Sequence, residues 1–228
     1  MTDIKRTVSK VETKKDNKNT TNKGFNKDLT RVVRKDDEGA EDLNPAQTAQ
    51  GNNAHEQILY KERTVTVVVD TARIKGRDFK FLKVKENDGI VVVPVVVDND
   101  GDYVILERQY RHAIGKYIYE LPAGHIEKGE DKIDAVKREM EEETGYMPKK
   151  VSYLFKGYPM PGTNTSMHYF YLARDFSKSK AEPEADEDIS VEKVRLDKAI
   201  EMIRSGEIID LKTIAGLLYY YYIFKNGR

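Results

Sequence analysis

The run IVVVPVVV at 90–97 restricts the fold more than any other part of the chain. Apart from its proline, every residue in it is β-branched and favours extended backbone. A short, wholly apolar run of this kind reads as a buried strand. Pro94 has no N–H to offer a ladder, so it marks the strand as an edge or a bulge. Strand signals also precede it. ILYKERTVTVVVDTARI (58–74) is β-branched, and RDFKFLKV (77–84) alternates as its hairpin partner. DNDGD (98–102) is a turn into the strand YVILERQYR (103–111). Residues 130–144 read as a helix. VSYLFKGY (151–158), MHYFYLARDF (167–176) and ISVEKVRL (189–196) are further strands. Helices follow at 196–206, stopped by Gly206, and at 211–225. Strands, one central helix, more strands and two closing helices predict a mixed α/β or α+β sandwich over 57–228.

Residues 1–56 have another character. They are rich in Lys, Asp, Asn, Thr and Gln and show no apolar period, so they read as a disordered tail. The first 35 carry eleven Lys or Arg against four Asp or Glu. Such an arm is either a solvated tail or a contact for RNA or a partner. The whole chain balances 39 basic against 39 acidic residues, which gives no general argument for nucleic acid or an anionic membrane. With no cysteine, disulfides, thiolate nucleophiles and zinc–thiolate sites are excluded. The opening MTDIKRTVSKVETKK lacks the apolar core of a secretory leader. No apolar run approaches the ~20 residues of a membrane helix. The expectation is a cytoplasmic protein without a membrane partner.

The helix at 130–144 is crowded with acid. At 3.6 residues per turn, Glu139, Glu142 and Glu143 project to one side, beside an apolar stripe of Ile133, Val136 and Met140. Clustered carboxylates raise one another's pKa. A solvated face with Glu–Lys pairs is one reading. The other is a site for a hard divalent cation, which carboxylate oxygens suit.

The spacing around that face is specific. Gly124, five residues, Glu130, seven residues, then REMEEETGY from Arg138 to Tyr146 resembles the Nudix box, G-x5-E-x7-R-E-U-x-E-E-x-G-U. All seven Gly, Glu and Arg positions agree, a chance event on the order of 10⁻⁸ per starting position at ~7% per residue type. Met140 and Tyr146 depart from the bulky aliphatic U. The resemblance implies a Nudix-type α/β/α sandwich with a mixed sheet, and hydrolysis of a nucleoside diphosphate linked to another group. It implies Glu139, Glu142 and Glu143 as ligands of Mg²⁺, with Mn²⁺ as a substitute. Arg138 would be structural, pairing with Glu130 in an element bounded by Gly124 and Gly145.

The flanks LERQYRHAIGKYIYELPAG (106–124) and GYPMPGTNTSMHYFYLA (157–173) are similar to the ADP-ribose pyrophosphatase branch. That resemblance implies Arg111 at the substrate phosphates, the Ala123 carbonyl at the metal, Glu120 in support of the site or at a ribose, and Pro161 beside the nucleoside. A further catalytic Glu is implied on the loop EADEDIS; Glu187 fits best, with Glu184 as the alternative and Glu142 as the other possible base. Arg111 also reads as a surface arginine, Pro161 as a turn proline and the loop as merely acidic. TNTSM (163–167) departs from the branch, which often has an acid there. His55, His112, His125 and His168 lack metal-ligand spacing, and His125, beside the site loop, reads as a plain loop residue with substrate contact as the alternative. The aromatics of LLYYYYIF (217–224) read as core or subunit contacts. The branch also implies a homodimer exchanging strands within 58–84. The rival readings are another nucleotide sugar, a dinucleoside polyphosphate or capped RNA as substrate, and a module that senses ADP-ribose without cleaving it.

Overall fold

The computed structural model describes residues 56–181 and 188–225. The tail reading over 1–56, apart from residue 56 itself, and the candidates Glu184 and Glu187 therefore lie outside the described residues. Strands β1 (Gln57–Glu62), β2 (Val65–Ile74) and β3 (Arg77–Lys85) form an antiparallel sheet in the order β1-β2-β3. The expected strand at 58–74 is thus two strands, turned at Arg63, which has a φ of 45°. The β2–β3 turn is Lys75-Gly76, both at positive φ, as a two-residue hairpin turn requires.

The larger sheet contains β4 (Gly89–Asp98), β5 (Gly101–Arg111), β8 (Tyr146–Gly157), β9 (His168–Lys178) and β10 (Ile189–Arg195), in the order β10-β5-β4-β9-β8. Two short strands, β6 (Lys116–Glu120) and β7 (Ala123–His125), pair with β5 and β4. β4 and β9 are parallel and the other pairs antiparallel, so the sheet is mixed.

β4 is the centre of the fold, and the expectation that Pro94 marks an edge or bulge is corrected. Along one side β4 pairs first with β7, through Gly89–Val91, and then with β5, from Val95. Pro94 falls where the partner changes, so its missing N–H leaves no ladder bond unmade. Side chains of a strand alternate between faces. Val91, Val93 and Val95 enter a core with Phe170, Leu172, Met202 and Leu217, under α2 (Leu196–Ser205) and α3 (Leu211–Leu218). Ile90 and Val92 enter a second core with Val136, Met140 and Tyr171, under α1 (Lys132–Thr144). Helices on both faces explain why this strand is apolar from Ile90 to Val95, whereas Val97 near its end is exposed.

Asp131 caps α1, its Oδ1 accepting the Ile133 N–H at 2.8 Å. Gly145 ends the helix in the left-handed region, its N–H donating to Glu141 O at 2.9 Å. The buried stripe is Val136, Met140 and Glu143, with Ala135 beside it, and Ile133 is 42% exposed. The expected stripe is corrected at Ile133: residue 143, seven after Val136, takes the inward position instead. α3 sits close on the sheet, and a Cβ on Gly216 would lie 2.7 Å from Leu121 Cδ1. Beyond α3 the chain continues as a π-helical segment, Tyr219–Lys225, in which Tyr220 is buried and Tyr222 exposed. No helix among the described residues is long and apolar enough to cross a membrane.

Candidate active site

Arg138 organises the acidic helix. Its Nε and Nη2 donate to the two oxygens of Glu130 at 2.8 and 3.0 Å, and Nη2 also reaches His125 O at 3.0 Å. Its Nη1 donates to Glu139 Oε1 at 2.8 Å and to Glu142 Oε2 at 3.1 Å. The hydrogen bonds to Glu130, together with the Glu139 charge, raise the guanidinium's pKa above its ordinary value. The same bond from Arg138, with one from the Glu127 N–H at 2.8 Å, holds Glu130 below the usual carboxylate range. One side chain thus ties the loop after β7 to the helix that follows.

The three candidate ligands are placed differently. Glu139 is pressed against the Gly124 backbone: a Cβ there would lie 1.9 Å from Glu139 Oε1, so only glycine leaves room for the carboxylate. Glu143 is 3% exposed, and its Oε2 accepts the Ala123 N–H at 3.1 Å. The Glu142 side chain is 41% exposed. Among the described residues no three His, Asp or Glu side chains meet closely enough to hold a metal ion as they stand. The donor chemistry nevertheless fits a hard divalent cation. The three candidate side chains offer carboxylate oxygens, and Glu130, Glu139 and Glu142 all contact the Arg138 guanidinium.

A second charged group stands across the cavity. Glu120 is 1% exposed and accepts from Arg111 Nε and Nη2 at 2.6 and 2.7 Å. Lys212 Nζ donates to Glu120 Oε2 and, at 3.1 Å, to Asp210 Oδ2. Asp210 also caps α3, accepting from Thr213 N–H at 2.9 Å and Thr213 Oγ1 at 2.6 Å. The Leu121 N–H donates in turn to that Oγ1 at 2.8 Å. Burial alone would push the Glu120 carboxyl up, but the Arg111 hydrogen bond and the Lys212 charge hold it below its ordinary value. The Glu120 hydrogen bond raises Arg111.

Both groups open on one cavity of about 1130 Å³, lined by Arg111, Glu120, Ala123, Gly124, Arg138, Glu139 and Glu142. Pro161 is exposed and does not line it; Tyr158 and Pro159 do. His125 is a β7 residue on the cavity wall rather than a loop residue. Sequence reasoning missed Lys212, Asp210, His168 and Gly89, all of which line the cavity. TNTSM has a packing role. Thr163 O accepts the Val84 N–H at 2.7 Å, Asn164 Nδ2 donates to Glu86 Oε2 at 2.7 Å, and Ser166 is buried.

Comparison with known proteins identifies the family. The family model described as "NUDIX domain" matches residues 88–215. The chain is 31% identical over 168 residues to an "ADP-ribose pyrophosphatase" of Bacillus subtilis (strain 168), covering 73% of this chain and 89% of the relative. It is 33% identical over 163 residues to a "Methanol dehydrogenase activator" of Bacillus methanolicus, covering 71% and 87%. A solved structure titled "Crystal structure of ADP compounds hydrolase" superposes with a TM-score of 0.67 at 20% identity. It covers 75% of this chain and 92% of that one, and shares the fold.

Proposed function

The chain belongs to the Nudix hydrolase family, and from that membership we propose that it hydrolyses the diphosphate bond of ADP-ribose, giving AMP and ribose 5-phosphate, or that of a related nucleoside diphosphate sugar. The observation that carries the reading is that the α1 carboxylates and Arg111 open on one cavity. At about 1130 Å³ the cavity is roomy for a small-molecule site, as a substrate with two large halves requires. The likeness to the Bacillus subtilis ADP-ribose pyrophosphatase supports the choice of substrate.

Glu139, Glu142 and Glu143, with the Ala123 carbonyl, would hold Mg²⁺, with Mn²⁺ able to replace it. When bound, such a cation supplies positive charge at the phosphate oxygens and acidifies water. Arg111 is steadied by Glu120 through Nε and Nη2, so it meets the diphosphate with its Nη1 edge and needs no reordering. Arg138 and Glu130 are positioning residues that fix the carboxylates before substrate arrives. The proton of the attacking water passes to a carboxylate, Glu187 by preference and Glu142 otherwise.

The test is product analysis. With Mg²⁺ and a panel of ADP-ribose, GDP-mannose, a diadenosine polyphosphate and capped RNA, AMP and ribose 5-phosphate are expected from ADP-ribose foremost. Faster cleavage of another compound would replace the substrate, and binding of ADP-ribose without cleavage would make the protein a sensor.

The β1-β2-β3 sheet exposes Ile58, Leu59, Tyr60, Phe79, Phe81 and Leu82 over its two faces, apolar surface of the kind found where proteins associate. It supports a homodimer formed through these strands. Sedimentation velocity should give a dimer that Leu82→Lys shifts toward monomer; a monomeric parent protein would refute the assembly.

A further inference from the structure

Lys212 stands where its own helix gives no reason for a lysine. It is the second residue of α3, and a cation in the first turn of a helix opposes the helix dipole. Its side chain is only 15% exposed, so the ammonium is largely withdrawn from water and a flexible stem is held still. Glu120 does not need it as a first counter-ion, since Arg111 already donates to both carboxylate oxygens at 2.6 and 2.7 Å. Stability does not call for the arrangement either, because buried ion groups replaced whole by apolar side chains often lose nothing.

What the lysine reaches is specific. Its Nζ donates to Glu120 Oε2, the oxygen that also accepts from Arg111 Nη2, and to Asp210 Oδ2 at 3.1 Å. Arg111, Glu120, Lys212 and Asp210 thus alternate in sign, and Asp210 is itself fixed by the Thr213 N–H and hydroxyl. α3 is fastened twice more to the residue after Glu120. Thr213 Oγ1 accepts the Leu121 N–H at 2.8 Å, and a Cβ on Gly216 would lie 2.7 Å from Leu121 Cδ1. Residues 212, 213 and 216 share one side of the helix, and that side braces residues 120 and 121. The brace has work to do at Arg111, whose side chain is 40% exposed although Glu120 is buried. The last torsion of a glutamate is broad, so two bonds from a half-exposed arginine let both partners turn together. A third donor, carried by a packed helix, stops that turning.

We propose that Lys212 is a positioning residue for the diphosphate: from α3 it fixes the plane of Glu120, and Glu120 fixes the plane in which Arg111 presents its Nη1 edge. The proposal rests on the reading of Arg111 as the residue that meets the diphosphate. Lys212 acts through the arginine and not on the substrate. Its effect therefore exists only while Arg111 is present, which separates it both from a second phosphate ligand and from a salt bridge that merely holds the fold.

The experiment is a double-mutant cycle of Lys212→Met, Arg111→Ala and the pair. Two quantities are read: ADP-ribose affinity by calorimetry with a chelator present, and kcat/KM on ADP-ribose with Mg²⁺. Methionine keeps an apolar stem and drops the charge. Lys212→Met should lose about tenfold or more in both quantities, the scale of one charge-assisted hydrogen bond. In the Arg111→Ala background the same change should cost no more than about twofold, because the group it acts through is gone. Lys212→Arg, which can donate to Glu120 and Asp210 alike, should recover most of the loss. Equal losses in the two backgrounds would overturn the proposal, and so would a Lys212→Met protein with parental affinity and kcat/KM. If Lys212→Met melts below the assay temperature, Lys212→Gln decides by the same criteria. Additive losses in a protein that cleaves ADP-ribose sink Lys212 and spare the substrate reading. Coupled losses of affinity in a protein that binds ADP-ribose and cleaves nothing do the reverse. An Arg111→Ala protein with parental binding and turnover removes the arginine from the diphosphate and Lys212 with it.

Discussion

A Glu142→Gln protein is expected to lose about 10³-fold in kcat on ADP-ribose, a barrier increase of ~4 kcal/mol, and to melt as the parent does. The two halves of this expectation have separate causes. Glutamine keeps the size of the side chain and removes the negative charge that would hold a divalent cation or accept a proton. The fold loses little, because the Glu142–Arg138 contact is one half-exposed pair and Arg138 keeps Glu130 and Glu139. Exposed pairs of that kind contribute ~0–1 kcal/mol. Turnover and melting should therefore separate cleanly. Parental turnover in Glu142→Gln would remove Glu142 from the reaction. Should Glu187→Gln cost still more, the proton acceptor is on the acidic loop.

Glu120→Ala should show the opposite pattern in stability, with a loss of about 3 kcal/mol. The buried carboxylate answers two cations, and truncating one partner of a buried charge group costs ~3–5 kcal/mol by stranding the other. Arg111 is half-exposed and can turn to water, which places the loss at the lower end. For a domain of this size the melting temperature should fall by roughly 6–12 °C. The effect has a pH signature. The folded-state pKa of Glu120 lies below its unfolded value, so its stabilisation is present above the ordinary carboxylate range. It is lost as pH falls through the depressed folded value. Parent and variant melting curves should converge in acid and separate toward neutral pH. A gap that does not vary with pH would mean that lost packing, not the charge group, sets the difference.

The ease of reading the chain followed the distance between interacting residues. The Glu130–Arg138 pairing and the carboxylate face were legible because Nudix-box spacing and helical period place them within a few turns of chain. β4 was legible as a strand from β-branched composition, but its central position was not, since Pro94 carries the mark of an edge. Only the tertiary exchange of β7 for β5 makes that proline harmless. β6 and β7 are too short to show a period. The Glu120–Lys212 contact spans 92 residues, with no local pattern that relates them. The flanking resemblance points to Pro161, whereas Pro159 is the proline that lines the cavity.

Arg63 and Thr64 line the cavity from near the start of the described chain, and Leu211, Lys212 and Ala215 from near its end. The acidic helix lies between them. During synthesis that helix leaves the ribosome well before α3, at a stage when Glu120 has no Lys212 to meet and the cavity has no far wall. A nascent or prematurely terminated chain therefore carries the complete Nudix signature without a pocket in which to use it. The fold delays the chance to bind a nucleotide until translation of the domain is almost finished.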